Sequence, residues 1–199
     1  MNLCSFYSRG GSDLLNQVLL DLAKWLDSRP WSSALHESFY MYNWVESTHV
    51  LTLMIFLGML SVIDLRMLGL TMTKIPASVI ARRLNLPMLL GFSVMFITGL
   101  LLYYAVPVRT TQSIWFRIKF GLLIAAGINA WFFHRRMNQA VSCWDMDPVA
   151  PKALRYGAAL SLTLWAGVVI TGRLIAYDWY DCYRANSELI AWAAGCTSE

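Results

Sequence analysis

Charge is what this sequence has least of. Only 14% of its 199 residues are Asp, Glu, Lys or Arg, where a soluble domain of similar size carries about 25%. So few charges cannot cover a water-facing surface, and much of the surface must therefore face lipid. Histidine is scarcer still, with 3 copies, and cysteine stands at 4. No CxxC or CxxCH run occurs, which disfavours a thioredoxin-like centre and a covalently attached c-type haem. Gly-rich nucleotide loops, nucleophile triads and zinc-ligand spacings are also missing. Residues 1–11 lack the basic stretch and unbroken apolar run of a cleaved signal, so the first span is expected to act as the targeting element.

What is abundant is apolar: 57% of the residues are hydrophobic. Four runs, at about 45–70, 88–108, 114–133 and 156–177, reach the roughly 20 residues needed to cross the hydrocarbon core. Unpaired backbone groups are so costly in lipid that each run should be a helix. The expected fold is all-α, an integral membrane four-helix bundle with an N-terminal amphipathic helix on the periplasmic side. It divides into a periplasmic interfacial segment (1–44), the bundle (45–180) and a periplasmic C-terminal tail (181–199).

Orientation follows from the loops. Arg66, Lys74, Arg82 and Arg83 lie between spans one and two, and Arg135, Arg136, Lys152 and Arg155 between spans three and four. The remaining loop, 109–113, is short and holds one basic residue. The positive-inside rule places both basic loops in the cytoplasm and both termini in the periplasm of a bacterial inner membrane. Because the +4 net charge is distributed in this way, it marks topology, and no nucleic-acid partner is expected.

Before the first span, Ser12 and Asp13 read as a helix start. Leu14, Leu15, Val18, Leu19, Leu22, Trp25 and Leu26 then recur on one side, opposite Asn16, Gln17, Asp21, Lys24 and Asp27, until Arg29-Pro30. Such a helix lies flat at a membrane surface or packs on the bundle or a partner. Trp31, Phe39, Tyr40, Tyr42 and Trp44 form an aromatic belt, repeated after the last span by Tyr177, Trp179, Tyr180 and Tyr183. Cys4, Cys182 and Cys196 fall outside, where disulfides persist, and Cys143 falls inside. Cys182 with Cys196 is the simplest pair, although three outer thiols permit three pairings.

Ionisable residues inside spans are functional hypotheses by default. Glu46 and His49 on span one, Lys119 on span three and Arg173 on span four lie at similar depth near the outer end. Asp64 and Arg66 on span one, with His134 and Arg135 on span three, lie near the inner end. His49 to Asp64 and Lys119 to His134 each cover roughly 22 Å of helix. If spans one and three are neighbours, His49 meets Lys119 and Asp64 meets His134. The inner set also suits snorkelling or surface pairing.

A histidine with a cationic collar calls for an anionic ligand, and haem b meets that description. Its iron takes a neutral imidazole, its macrocycle fills apolar space between helices, and Lys or Arg neutralise the propionates. His49 is the expected axial ligand, with His134 at a possible second site. Lys119 is a ligand or propionate partner, and Arg117, Arg173 and Glu46 complete the cofactor-binding set. Met54, Met59, Met88 and Met95 are available as second axial ligands.

The run Trp44-Val45-Glu46-Ser47-Thr48-His49, followed by Asp64-Leu65-Arg66, Leu68 and Gly69, resembles the first span of a family of bacterial four-span membrane proteins of unknown function. Phe116-Arg117-Ile118-Lys119, Asn129-Ala130 and Phe133-His134 resemble its third span. More distantly, the layout is similar to the HemJ-type protoporphyrinogen oxidases and the CopD-like copper-resistance membrane proteins. The HemJ-type features fall on His49, Arg66, Arg82-Arg83, Trp115 with Lys119, and His134, though the Tyr-Leu-Pro-Arg run after the first span is missing. That resemblance implies haem b at His49 and Lys119.

The expectation is a haem-b-binding redox protein passing electrons to or from a quinone, a periplasmic carrier or a partner protein. The alternatives are a non-catalytic subunit of a larger membrane assembly or homo-oligomer, and transport of copper or a small anion.

Overall fold

The computed structural model describes residues 3–177, 182 and 188–196, with side chains except at 3–13, 39, 138–143, 188 and 189. The expectations for Cys4, Cys143, Trp179, Tyr180 and Tyr183, and for the side chains of Ser12 and Asp13, lie outside the described residues. Within them, every regular element is helical: α1 Leu3–Asp27, α2 Pro30–Glu37, α3 Phe39–Met67, α4 Ala77–Ala105, α5 Pro107–Thr111, α6 Ile114–Trp144, α7 Lys152–Ile175 and α8 Glu188–Ala194. Four of these, α3, α4, α6 and α7, are long and apolar enough to cross a membrane. The chain is an all-α membrane bundle.

Several boundaries differ from those expected. α1 starts at Leu3 rather than at Ser12–Asp13. Gly10 and Gly11 each cost about 1 kcal/mol in a helix, but they keep both backbone hydrogen-bonding groups and so do not stop it. α4 starts at Ala77, well before residue 88, and carries Pro87 inside. Proline removes one N–H and crowds the carbonyl four residues back. Arg82 and Arg83, in the turns before it, are exposed, so the disturbance sits at a wet end of the helix. The short loop after α4 contains α5, and the aromatic stretch 31–44 is largely helical, forming α2 and the first turns of α3.

The chain folds as two compact units. The first comprises Met1–Val45, Leu100–Phe120 and Ile170–Glu199. In it α1 packs on α5 and buries Asn16, Leu20 and Ala23. Its broad apolar face, Leu14, Leu15, Val18, Leu19, Leu22 and Trp25, stays exposed. The Ser32 hydroxyl donates to the Tyr104 carbonyl at 2.8 Å, tying α2 to the end of α4. The Tyr103 and Phe116 rings stack at 5.5 Å. Cys182 and Cys196 form a disulfide, the pairing favoured by proximity in sequence.

The second unit comprises Glu46–Gly99 and Gly121–Val169, the major lengths of the four long helices. Phe56, Met95, Ala126, Trp165 and Val168 form one core, and Met67, Ala77, Trp144, Ala150, Leu154 and Ala158 another. Phe56 meets Trp165 edge-on at 4.9 Å and Phe92 at 5.7 Å, joining α3 to α7 and α4. Asn129 donates to the Gly157 carbonyl at 3.0 Å, joining α6 to α7. Meanwhile Met54, Leu89, Leu90, Ile97, Ile124, Ile128 and Leu160 are exposed. A continuous apolar exterior of this kind is untenable in water and is what lipid contact requires.

Candidate functional site

His49 sits two-fifths of the way along α3, half-buried against α4. Its Nδ1 lies 3.0 Å from the Met95 carbonyl oxygen and 3.0 Å from Thr98 Oγ1. A carbonyl can only accept, so Nδ1 carries a proton and donates. The Thr98 hydroxyl spends its own hydrogen on the Val94 or Met95 carbonyl, at 2.8 and 3.0 Å, and so accepts from His49. This fixes the neutral ring as the Nδ1–H tautomer, with the lone pair on Nε2. Gly99 makes the approach possible, because a Cβ there would lie 3.3 Å from His49 Cε1. Glu46, one turn earlier, is exposed.

In the other unit, Arg117 donates through Nη1 to Asn16 Oδ1 at 3.0 Å and through Nε to the Thr111 carbonyl at 3.3 Å. Asn16 therefore turns inward to meet a cation, although its helix reads as amphipathic with Asn16 on the wet side. Gly195, at φ +74°, lies so close that a Cβ would fall 1.8 Å from an Arg117 Nη atom. Lys119 lies against Gly172, its Nζ 3.4 Å from where a Cβ would stand. Arg173, the next residue, is exposed. Its guanidinium donates to the Tyr177 hydroxyl at 2.9 Å and covers that ring at 5.0 Å.

At the opposite end of α3, the expected Asp64–His134 pair is not made. Asp64 is 3% exposed, and its Oδ2 has no hydrogen-bond partner among the described residues. Ser161, on α7, is the hydroxyl that reaches the carboxyl. His134 is exposed, on a face of α6 shared with exposed Trp131, whose ring Arg135 covers at 3.9 Å. Arg66 is 1% exposed rather than snorkelling. Its Nε donates to the Ile75 carbonyl at 2.9 Å, and its Nη atoms reach the carbonyls of Asp147 at 3.0 Å, Pro148 at 3.4 Å and Asp145 at 3.5 Å. Asp145 in turn caps α4: its Oδ1 accepts from the Ser78 amide at 2.8 Å and its Oδ2 from the Ser78 hydroxyl.

Thr98 and Gly99 were not among the residues singled out from the sequence, and Asn16 was read there only as part of the polar side of the N-terminal helix. Only the Gly next to a Thr in the second span hinted at close approach. Among the described residues, no group of three or more His, Cys, Asp or Glu is placed to hold a metal ion.

These features define a four-span α-helical membrane protein with an oriented histidine on its first span and a buried carboxyl further along it. The chain belongs to the family of unknown function DUF6644, whose model matches residues 37–178. No curated protein and no solved structure matches it, so the HemJ-type and CopD-like resemblances gain no support from those comparisons.

Proposed function

We propose that this chain is a haem-b-binding protein of the bacterial inner membrane, with both termini periplasmic, that passes electrons to or from a quinone or a partner protein. The observation that carries the reading is the Nδ1–H of His49 donating to the Met95 carbonyl. Histidines that ligate metals almost always donate their other ring N–H to such a group, which orients the ring and raises the basicity of the ligating nitrogen. His49, through Nε2, is the residue that would hold the iron. In the other unit, Arg117 is engaged by Asn16 and Thr111, and Lys119 lies against Gly172. Arg173 and Glu46 are exposed and play at most a peripheral part. Bound haem would supply one-electron redox chemistry, while the chain orients the imidazole through the Met95 carbonyl.

The test is the visible spectrum of the purified protein, oxidised and reduced. A Soret band that shifts on reduction is expected, and a colourless protein from haem-replete cells would contradict the proposal.

A second reading, an accessory subunit without chemistry of its own, draws on the exposed apolar face of α1. A large stable complex containing colourless protein would favour it. Copper transport draws no support from the arrangement of His, Cys, Asp and Glu among the described residues.

A further inference from the structure

We propose that the exposed apolar stripe of α1 is a lipid-docking surface, which seats the helix flat in the adjacent leaflet at the headgroup boundary. At about 3.6 residues per turn, the residues that α1 buries, Asn16, Leu20 and Ala23, form a stripe of their own. Leu14, Val18, Leu22 and Trp25 form a second, which is apolar and exposed. Gln17, Asp21 and Lys24 form a third, which is polar and exposed. Among the described residues, the contacts that hold α1 therefore use the first stripe and leave the second open.

What covers the second stripe follows from where the helix is held. The unit that contains α1 holds one end of every span: the starts of α3 and α6 and the ends of α4 and α7. α5, on which α1 packs, lies between the end of α4 and the start of α6. Asn16 accepts from Arg117, in the first turn of α6. Just past the end of α1, the Ser32 hydroxyl donates to the Tyr104 carbonyl, one residue before the end of α4. Asn16 to Asp27 covers roughly 16 Å of helix. A helix fastened at both ends of such a length to the tips of spans runs along the membrane boundary, not away from it. The apolar phase at that depth is lipid, and the exposed Trp25, Trp31, Tyr40 and Trp44 are of the residue types that favour it. The exposed charges of α1, Asp21, Lys24 and Asp27, are more acidic than basic, so apolar burial rather than attraction to anionic headgroups drives the seating. The inference is independent of haem binding and of which membrane face is periplasmic.

The test is spin-label accessibility in the full-length protein, reconstituted into phosphatidylcholine vesicles, with Cys4 and Cys143 changed to Ser. Labels at Val18→Cys and Leu22→Cys report on the apolar stripe, and labels at Gln17→Cys and Asp21→Cys on the polar one. Oxygen concentrates in lipid, so it should relax the labels at 18 and 22 more than a water-soluble nickel chelate does, at a depth of about 5–10 Å. The order should reverse at 17 and 21. Labels at 18 and 22 that are as open to nickel as those at 17 and 21 overturn the proposal. A stripe closed to both reagents, the mark of a protein partner or a second copy, also overturns it. If the cysteine variants do not fold, photolabelling of the wild type in the same vesicles with an apolar diazirine, followed by peptide mapping, decides. Label within residues 14–26 supports the proposal, and label confined to the four spans overturns it.

Discussion

Arg66 offers the sharpest energetic prediction because two opposing terms meet in one side chain. Its guanidinium is 1% exposed and, among the described residues, touches carbonyls, not a carboxylate, so no opposite charge there compensates its desolvation. Against that stand four hydrogen bonds. The two short ones, to Ile75 at 2.9 Å and Asp147 at 3.0 Å, rank as full charge-assisted bonds, worth about 1.5–3 kcal/mol each. The two at 3.4 and 3.5 Å add little.

Removing the donor leaves the carbonyls of the 72–76 and 145–148 loops in place without it. Arg66→Ala should therefore lose about 3–6 kcal/mol. Arg66→Met, which keeps volume and discards the charge, separates the two terms. If desolvation dominated, Met would be neutral or stabilising, as in some buried ion-pair replacements. With the hydrogen bonds dominant, Met instead loses at least about 2 kcal/mol. Unfolding by dodecyl sulfate in mixed micelles, followed by tryptophan fluorescence, provides the readout. Trp144, buried in the core that also contains Met67, reports from nearby. A Met variant as stable as wild type would show that the hydrogen bonds do not outweigh the buried charge.

Three further outcomes are expected. Gly195→Ala forces a Cβ onto the Arg117 guanidinium at a left-handed φ of +74°; it should lower stability by at least about 1–2 kcal/mol, measured by thermal unfolding. Replacing Cys182 and Cys196 by Ser opens a loop with a sequence separation of 14 and should cost about 3 kcal/mol, with wild type showing the same loss in reductant. For topology, in a chain with Cys4 and Cys143 changed to Ser, Asp27→Cys should react with an impermeant maleimide in intact cells. Met146→Cys, at a position 73% exposed, should react only after permeabilisation, and the reverse pattern would invert the proposed orientation.

The spans were legible because lipid imposes length and composition on each helix independently of its neighbours. Their ends were not, since these depend on distant partners. Asp145 caps α4 from 67 positions away, and no local pattern around Ala77 signals it. Pro87 reads as a boundary, yet it is accommodated beside exposed arginines. His49 was legible as an expensive polar group in a span. Its orientation by the Met95 carbonyl and Thr98 was not, because a backbone acceptor leaves no mark in sequence. Asp64 and His134 sit at compatible depth, but depth does not fix the rotation of α6, and α6 turns His134 outward. Asn16 shows the converse: its side of α1 is polar, but Arg117 draws it inward.

His49 is the proposed iron ligand. Haemin titrated into detergent-purified apoprotein, wild type beside His49→Ala, tests it directly. A saturable Soret shift at one haem per chain in wild type, lost in the variant, is predicted. Equal binding by both, or by neither, would contradict it.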